Sequence, residues 1–166
     1  MLGTIGGTAL RSALWLLLGG WIGAWGIFAF VVAPTAFRVL PSTEVAGNLV
    51  GPLLSFLHLY GAVAGLALAG IAWALSRPLA LRFLPLVLVA ACLYTQFGVS
   101  GEIAEIREQA LRPEGSEEMA ARFTRLHTLS RTIFGSVGLA AIALLVLHAR
   151  EEALQTSLPS RPTASQ

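Results

Sequence analysis

His58 and His127 are the residues of this chain best suited to chemistry, because a neutral imidazole nitrogen can ligate haem iron, copper or zinc, or hold a polar ligand. His127 stands in the stretch Phe123-Thr124-Arg125-Leu126-His127-Thr128-Leu129-Ser130-Arg131, which runs directly into a long apolar segment. A helix through this stretch puts Phe123, His127, Ser130, Arg131 and Phe134 on one face. Arg131 needs its charge satisfied below the headgroups, since an arginine at the centre of a membrane helix costs about 2.5–3.5 kcal/mol on insertion scales. Glu102 and Glu105 are its expected carboxylate partners. Such a pair would act as a structural clamp or as the anchor of a ligand. Axial metal or haem ligation by His58 and His127 requires the two rings to face each other at equal depth. Hydrogen-bonded structural histidines are the plainer reading, with proton relay or substrate contact as a further one.

Other chemistry is sparse. Cys92 is the only cysteine and lies in an apolar run, so an intrachain disulfide and a CxxC metal site are both excluded. It reads as a small buried hydrophobe. No P-loop, HExxH, GxSxG or Rossmann fingerprint is present, so no catalytic residue is expected. No resident cofactor is expected either, with haem or copper on His58 and His127 as the alternative.

The elements that must position these residues are apolar spans. The chain has 166 residues, of which 55% are hydrophobic and 12% charged, with a mean hydropathy of +0.73. A soluble domain is about 25% charged, which places this chain in the membrane class. Every basic side chain among the Lys and Arg is arginine and every acidic one is glutamate. The formal charge of +2 is too small and scattered for nucleic-acid binding.

Four spans are expected, over about residues 13–33, 50–75, 83–99 and 128–148, each long enough to cross a hydrocarbon core of about 30 Å. The first is longer than the h-region of a signal peptide, so a retained helix is expected. Gly19 and Gly23 form a GxxxG spacing on it, beside Trp21 and Trp25. Pro34, Arg38 and Pro41 are expected to close it, with a polar turn over Ser42 to Asn48. On the second span Gly61, Ala62, Gly65 and Ala69 share a face with His58, which should therefore look into the bundle about two turns from its end. The short connection through Arg77, Pro78 and Arg82 makes the second and third spans antiparallel neighbours.

Beyond the third span, EIAEIREQALR (Glu102 to Arg112) reads as an amphipathic extension with Glu108 and Arg112 paired at i,i+4. Pro113 and Gly115 break it, and Ser116 caps a final helix reaching His148. His148 reads as an interfacial residue. The fold expected is all-α: residues 1–150 form a four-transmembrane-helix bundle with an extramembrane helical extension between helices 3 and 4, and residues 151–166 form a disordered tail. All four spans then deliver polar residues to one end: Arg38, His58, Gln96, Glu102, His127, Ser130 and Arg131.

Two stretches carry a family resemblance. One is GIFAFVVAPTAFRVLPSTEVAGNLVGPLLSFLHLYG (Gly26 to Gly61), with its Pro-x-x-Phe turn. The other is FTRLHTLS (Phe123 to Ser130), with its Phe-x-x-x-His-x-x-Ser spacing. Together they resemble a bacterial integral-membrane family that carries a domain-of-unknown-function label and is related to eukaryotic transmembrane protein 205. The resemblance implies four membrane helices and no settled activity.

The expected function is a non-enzymatic small-ligand-binding or transport-associated membrane module. A haem- or metal-binding redox protein and a structural membrane partner protein are the alternatives. The expected partners are the lipid bilayer and a second copy or another membrane protein. The short Arg77/Arg82 loop favours cytoplasmic termini in a bacterial inner membrane.

Overall fold

In the computed structural model, residues 4–111 and 117–157 are described. The elements are α1 (Thr4–Ile27), a π-helical turn (Phe28–Val32), α2 (Ala33–Val39), α3 (Thr43–Ala74), α4 (Leu79–Leu93), a second π-helical turn (Tyr94–Val99), α5 (Ser100–Leu111) and α6 (Glu117–Ser157). Because α1 runs through the π turn into α2, and α4 runs likewise into α5, these make four rods. Among the described residues, Ile5–Val39, Thr43–Ala74, Leu79–Ile106 and Glu117–Gln155 are long and apolar enough to cross a membrane. The chain is an all-α, multi-pass membrane protein.

The first rod departs from the sequence expectation, because Pro34 does not end it. Proline lacks an N–H and normally breaks the i→i−4 ladder. Here the preceding turn is widened, and the Ala33 N–H reaches Phe28 O, five residues back. Pro34 then occupies the first turn of α2, where no N–H is required. The expected Ser42–Asn48 turn is correspondingly shorter. Leu40 is extended ahead of Pro41, and Ser42 caps α3 by accepting the Val45 N–H at 3.2 Å. Residues 43–48 are already helical. This lengthens α3 and moves His58 from about two turns to about four turns into its helix, near the middle of the span.

Small residues decide which helix faces meet. His58, Gly61, Ala62, Gly65 and Ala69 are all buried along one face of α3. A Cβ on Gly61 would lie 2.9 Å from Trp21 Nε1, and one on Gly65 would lie 2.6 Å from Val89 Cγ2. These glycines let α1 and α4 approach α3 closely. Gly19 and Gly23, by contrast, have nothing within 4 Å. The GxxxG face is therefore open and takes no part in the packing of this chain.

The α3–α4 connection ends α3 with Ser76 at φ 52°, the left-handed position usually taken by glycine. The Ser76 N–H bonds Trp73 O at 3.0 Å and the Arg77 N–H bonds Ala72 O at 2.9 Å, which closes the helix end and turns Arg77 inward. Arg77 is 1% exposed. The final helix also runs past His148, its expected end, to Ser157, because Glu151 and Glu152 continue it and Glu152 is held by Arg77. Of the expected tail, 158–166 lie outside the described residues, as do Arg112, Pro113, Gly115 and Ser116.

Candidate functional site

The sequence-predicted polar residues form two groups instead of one. His58 and Gln96 lie in the bundle interior. His58 is 4% exposed, and neither ring nitrogen has a hydrogen-bond partner. Gln96, in the second π turn, sits beside the ring, and its Oε1 is also buried without a partner. A polar group hidden from water without a bond costs about 1–3 kcal/mol. Ser130 is likewise buried, 4% exposed on α6.

The chamber around His58 is aromatic. Phe134 of α6 meets the imidazole edge-on with centroids 6.4 Å apart, and Phe28 and Trp25 pack on Phe134 at 5.5 and 5.8 Å. Trp25 is fixed in turn, since its Nε1 donates to Phe134 O at 3.0 Å and its indole lies directly against Gly138. A small cavity of about 10 Å³ remains, lined by Trp21, Trp25, His58, Cys92, Thr95 and Phe134 among others. That volume suits a single water molecule or an ion of similar size. Thr95 Oγ1 donates to Ala91 O at 2.8 Å, which leaves it free to accept.

Both π turns border this chamber. One follows Trp25 and contains Phe28; the other contains Thr95 and Gln96. In the second, the Ser100 N–H bonds Thr95 O, again five residues back. Single π turns inside helices commonly mark functional positions, because the extra residue redirects side chains.

The second group lies toward one end of the bundle, around α5 and the first turns of α6. Glu102 does not reach Arg131. It accepts from Arg122 instead, with Nε 2.7 Å from Oε1 and Nη2 also in contact. Arg131 and Arg38 are exposed, and neither makes an ion pair among the described residues. Glu105 is exposed as well. His127 is exposed and stacks on Phe123 with centroids 6.0 Å apart. It lies one heptad before Phe134, the residue that covers His58, so it is displaced by about 10 Å along α6 at 1.5 Å per residue. The two imidazoles are therefore not brought together around a common centre.

A third polar group went unseen in the sequence. His148 is fully buried, not interfacial, beside Arg77 and Glu152, and both its ring nitrogens lack partners. Arg77 Nη2 donates to Glu152 Oε1 at 2.6 Å, and Trp15 Nε1 donates to Glu152 Oε2 at 3.2 Å. One carboxylate thus joins α1, the α3–α4 connection and α6. The signal available was the i,i+4 spacing of His148 and Glu152, but Glu152 read as tail. Among the described residues, no group of three or more His, Cys, Asp or Glu side chains is placed to hold a metal ion.

Residues 16–112, more than half of the chain, match the family described as Domain of unknown function (DUF4149). The chain belongs to this family. The DUF4149 region includes His58, Cys92, Thr95 and Gln96, together with both π turns. The FTRLHTLS stretch and α6 lie beyond it. No curated protein and no solved structure matches the chain.

Proposed function

We propose that this protein is a non-enzymatic membrane module that binds a small polar ligand in mid-bundle, with His58 and Gln96 as the groups that hold it. The observation that carries this reading is the buried, unpartnered His58 ring, Nδ1 and Nε2, on the wall of one small cavity, with the buried Gln96 Oε1 beside the ring. A neutral imidazole offers one donor and one acceptor, and the amide oxygen adds a second acceptor. This set suits a water molecule, a small hydrogen-bonding solute or a single cation. Polar side chains at this depth are expensive and typically serve a pathway or a site. The two π turns support a transport-associated role, since they are places where the flanking helices can rearrange.

Native mass spectrometry of the protein in mild detergent tests the reading. The wild type should retain a small adduct that His58→Leu loses. A wild type without adduct, together with a His58→Leu variant that melts lower, would make His58 a structural residue.

The redox alternative has one point in its favour, that Cys92 shares the cavity wall with His58 and gives a soft metal such as copper a second donor. Ligation by His58 and His127 would need α6 to shift by about two turns. Metal analysis and an absorbance spectrum distinguish these cases: a Soret band or stoichiometric copper that depends on His58 favours the redox role. Self-association through the open Gly19–Gly23 face, placement in a bacterial inner membrane with cytoplasmic termini, and kinship with transmembrane protein 205 belong to the same proposal. The last rests on the Pro-x-x-Phe and Phe-x-x-x-His-x-x-Ser stretches. Reporter fusions at the termini test the orientation.

A further inference from the structure

A groove of about 280 Å³ runs between α5 and the first turns of α6, lined by Glu102, Arg122, Arg125, Leu126 and Leu129. We propose that it binds the headgroup of an anionic phospholipid, with Arg125 as the phosphate ligand. Arg122, Arg125, Leu126 and Leu129 fall within about 100° of one another on α6, so the face is continuous. The two arginines are not equivalent. Arg122 is engaged by Glu102. Arg125 is exposed, and no ion pair among the described residues engages it. The Glu102–Arg122 pair cancels its own charge, so the groove presents the single positive charge of Arg125 beside two leucines.

Depth identifies the occupant. Leu129 stands about one turn, and Arg125 about two turns, before the largely apolar stretch that starts at Ile133. Headgroup layers add about 5–7 Å on each side of the hydrocarbon core. Leu129, about 6 Å out, thus lies within the headgroup layer, and Arg125, about 12 Å out, stands just beyond it and reaches back to the phosphates along its own stem. A soluble phosphate would use the charge and leave the leucines bare. A lipid uses both. Arg131 is exposed too, but it lies on a different face of α6 and is not part of this groove's lining.

The test titrates the detergent-purified protein with dioleoylphosphatidylglycerol or dioleoylphosphatidylcholine and counts bound lipids by native mass spectrometry. The wild type should retain phosphatidylglycerol preferentially. Arg125→Gln should lower that retention about fivefold, the effect of roughly 1 kcal/mol for one arginine near an anionic surface. Arg131→Gln removes the same charge and should leave retention unchanged. Glu102→Gln frees Arg122 and should raise it. Equal losses in Arg125→Gln and Arg131→Gln would reduce the effect to general surface charge and overturn the proposal. Displacement of the lipid by millimolar inorganic phosphate that also binds without lipid would overturn it in favour of a free-phosphate site.

Discussion

Gly138→Ala should unfold the protein more easily, whereas Gly135→Ala, nearly one turn earlier on the same helix, should not. A Cβ on Gly138 would fall inside the Trp25 indole, against Cε2, Cζ2 and Nε1, while nothing lies within 4 Å of Gly135. Trp25 cannot yield freely, because its Nε1 is bonded to Phe134 O at 3.0 Å and its ring packs on Phe134 and Phe30. Overpacking costs about 1–3 kcal/mol and the lost hydrogen bond about 1 kcal/mol. Gly138→Ala should therefore cost about 2–4 kcal/mol. At Gly135 the gain in helix propensity is about 0.5–1 kcal/mol, in the opposite direction. Unfolding in mild detergent titrated with dodecyl sulfate, followed by circular dichroism and indole emission, measures both. In a Trp25→Ala background the Gly138→Ala cost should largely vanish, since the two changes act on one contact. Equal effects at the two glycines, or a cost that persists without Trp25, would refute the seating of this indole. The chamber around His58 would then need a different wall.

Three further outcomes follow from the same geometry. Ser76→Gly should stabilise by about 1 kcal/mol, because a left-handed residue with a Cβ costs about 1–2 kcal/mol, and unfolding titrations with a Ser76→Ala control would read it. Glu152→Ala should cost about 3–5 kcal/mol by stranding the buried Arg77 charge. The double change Arg77→Met with Glu152→Leu should recover most of that loss in the same titration. Trp15→Phe should remove only the bond to Glu152, about 1 kcal/mol, and leave phosphatidylglycerol retention unaltered.

The helices and their inward faces were legible in the sequence, because apolar length and the 100° repeat of Gly61, Ala62, Gly65 and Ala69 follow directly from burial. His58 was rightly directed into the bundle, but its depth was misjudged, since the start of α3 depended on a Ser42 cap that read as part of a loop. The π turns left no mark that periodicity could detect. They appear only when Pro34 is seen to sit inside a continuous rod. Pairing across the bundle was the least legible feature. Glu102 joins Arg122 and not Arg131, because the fold-back of α5 on α6 sets their register. Arg77 and His148 are buried because a glutamate beyond the apolar run returns to meet them. Each of these choices depends on three-dimensional neighbours that no local window contains.

The two ion pairs, Glu102–Arg122 and Arg77–Glu152, have a mechanical consequence together. Their α6 partners stand about 45 Å apart along the helix at 1.5 Å per residue, which is close to the full thickness of a bilayer with its headgroups. α6 is thus tied to a neighbouring element near each of its ends, with the widened turns and the central chamber between the two ties. A thicker bilayer would draw one tie toward hydrocarbon, and a thinner one would leave a tie standing in water. A change in membrane thickness would therefore be felt first at the two ends of α6.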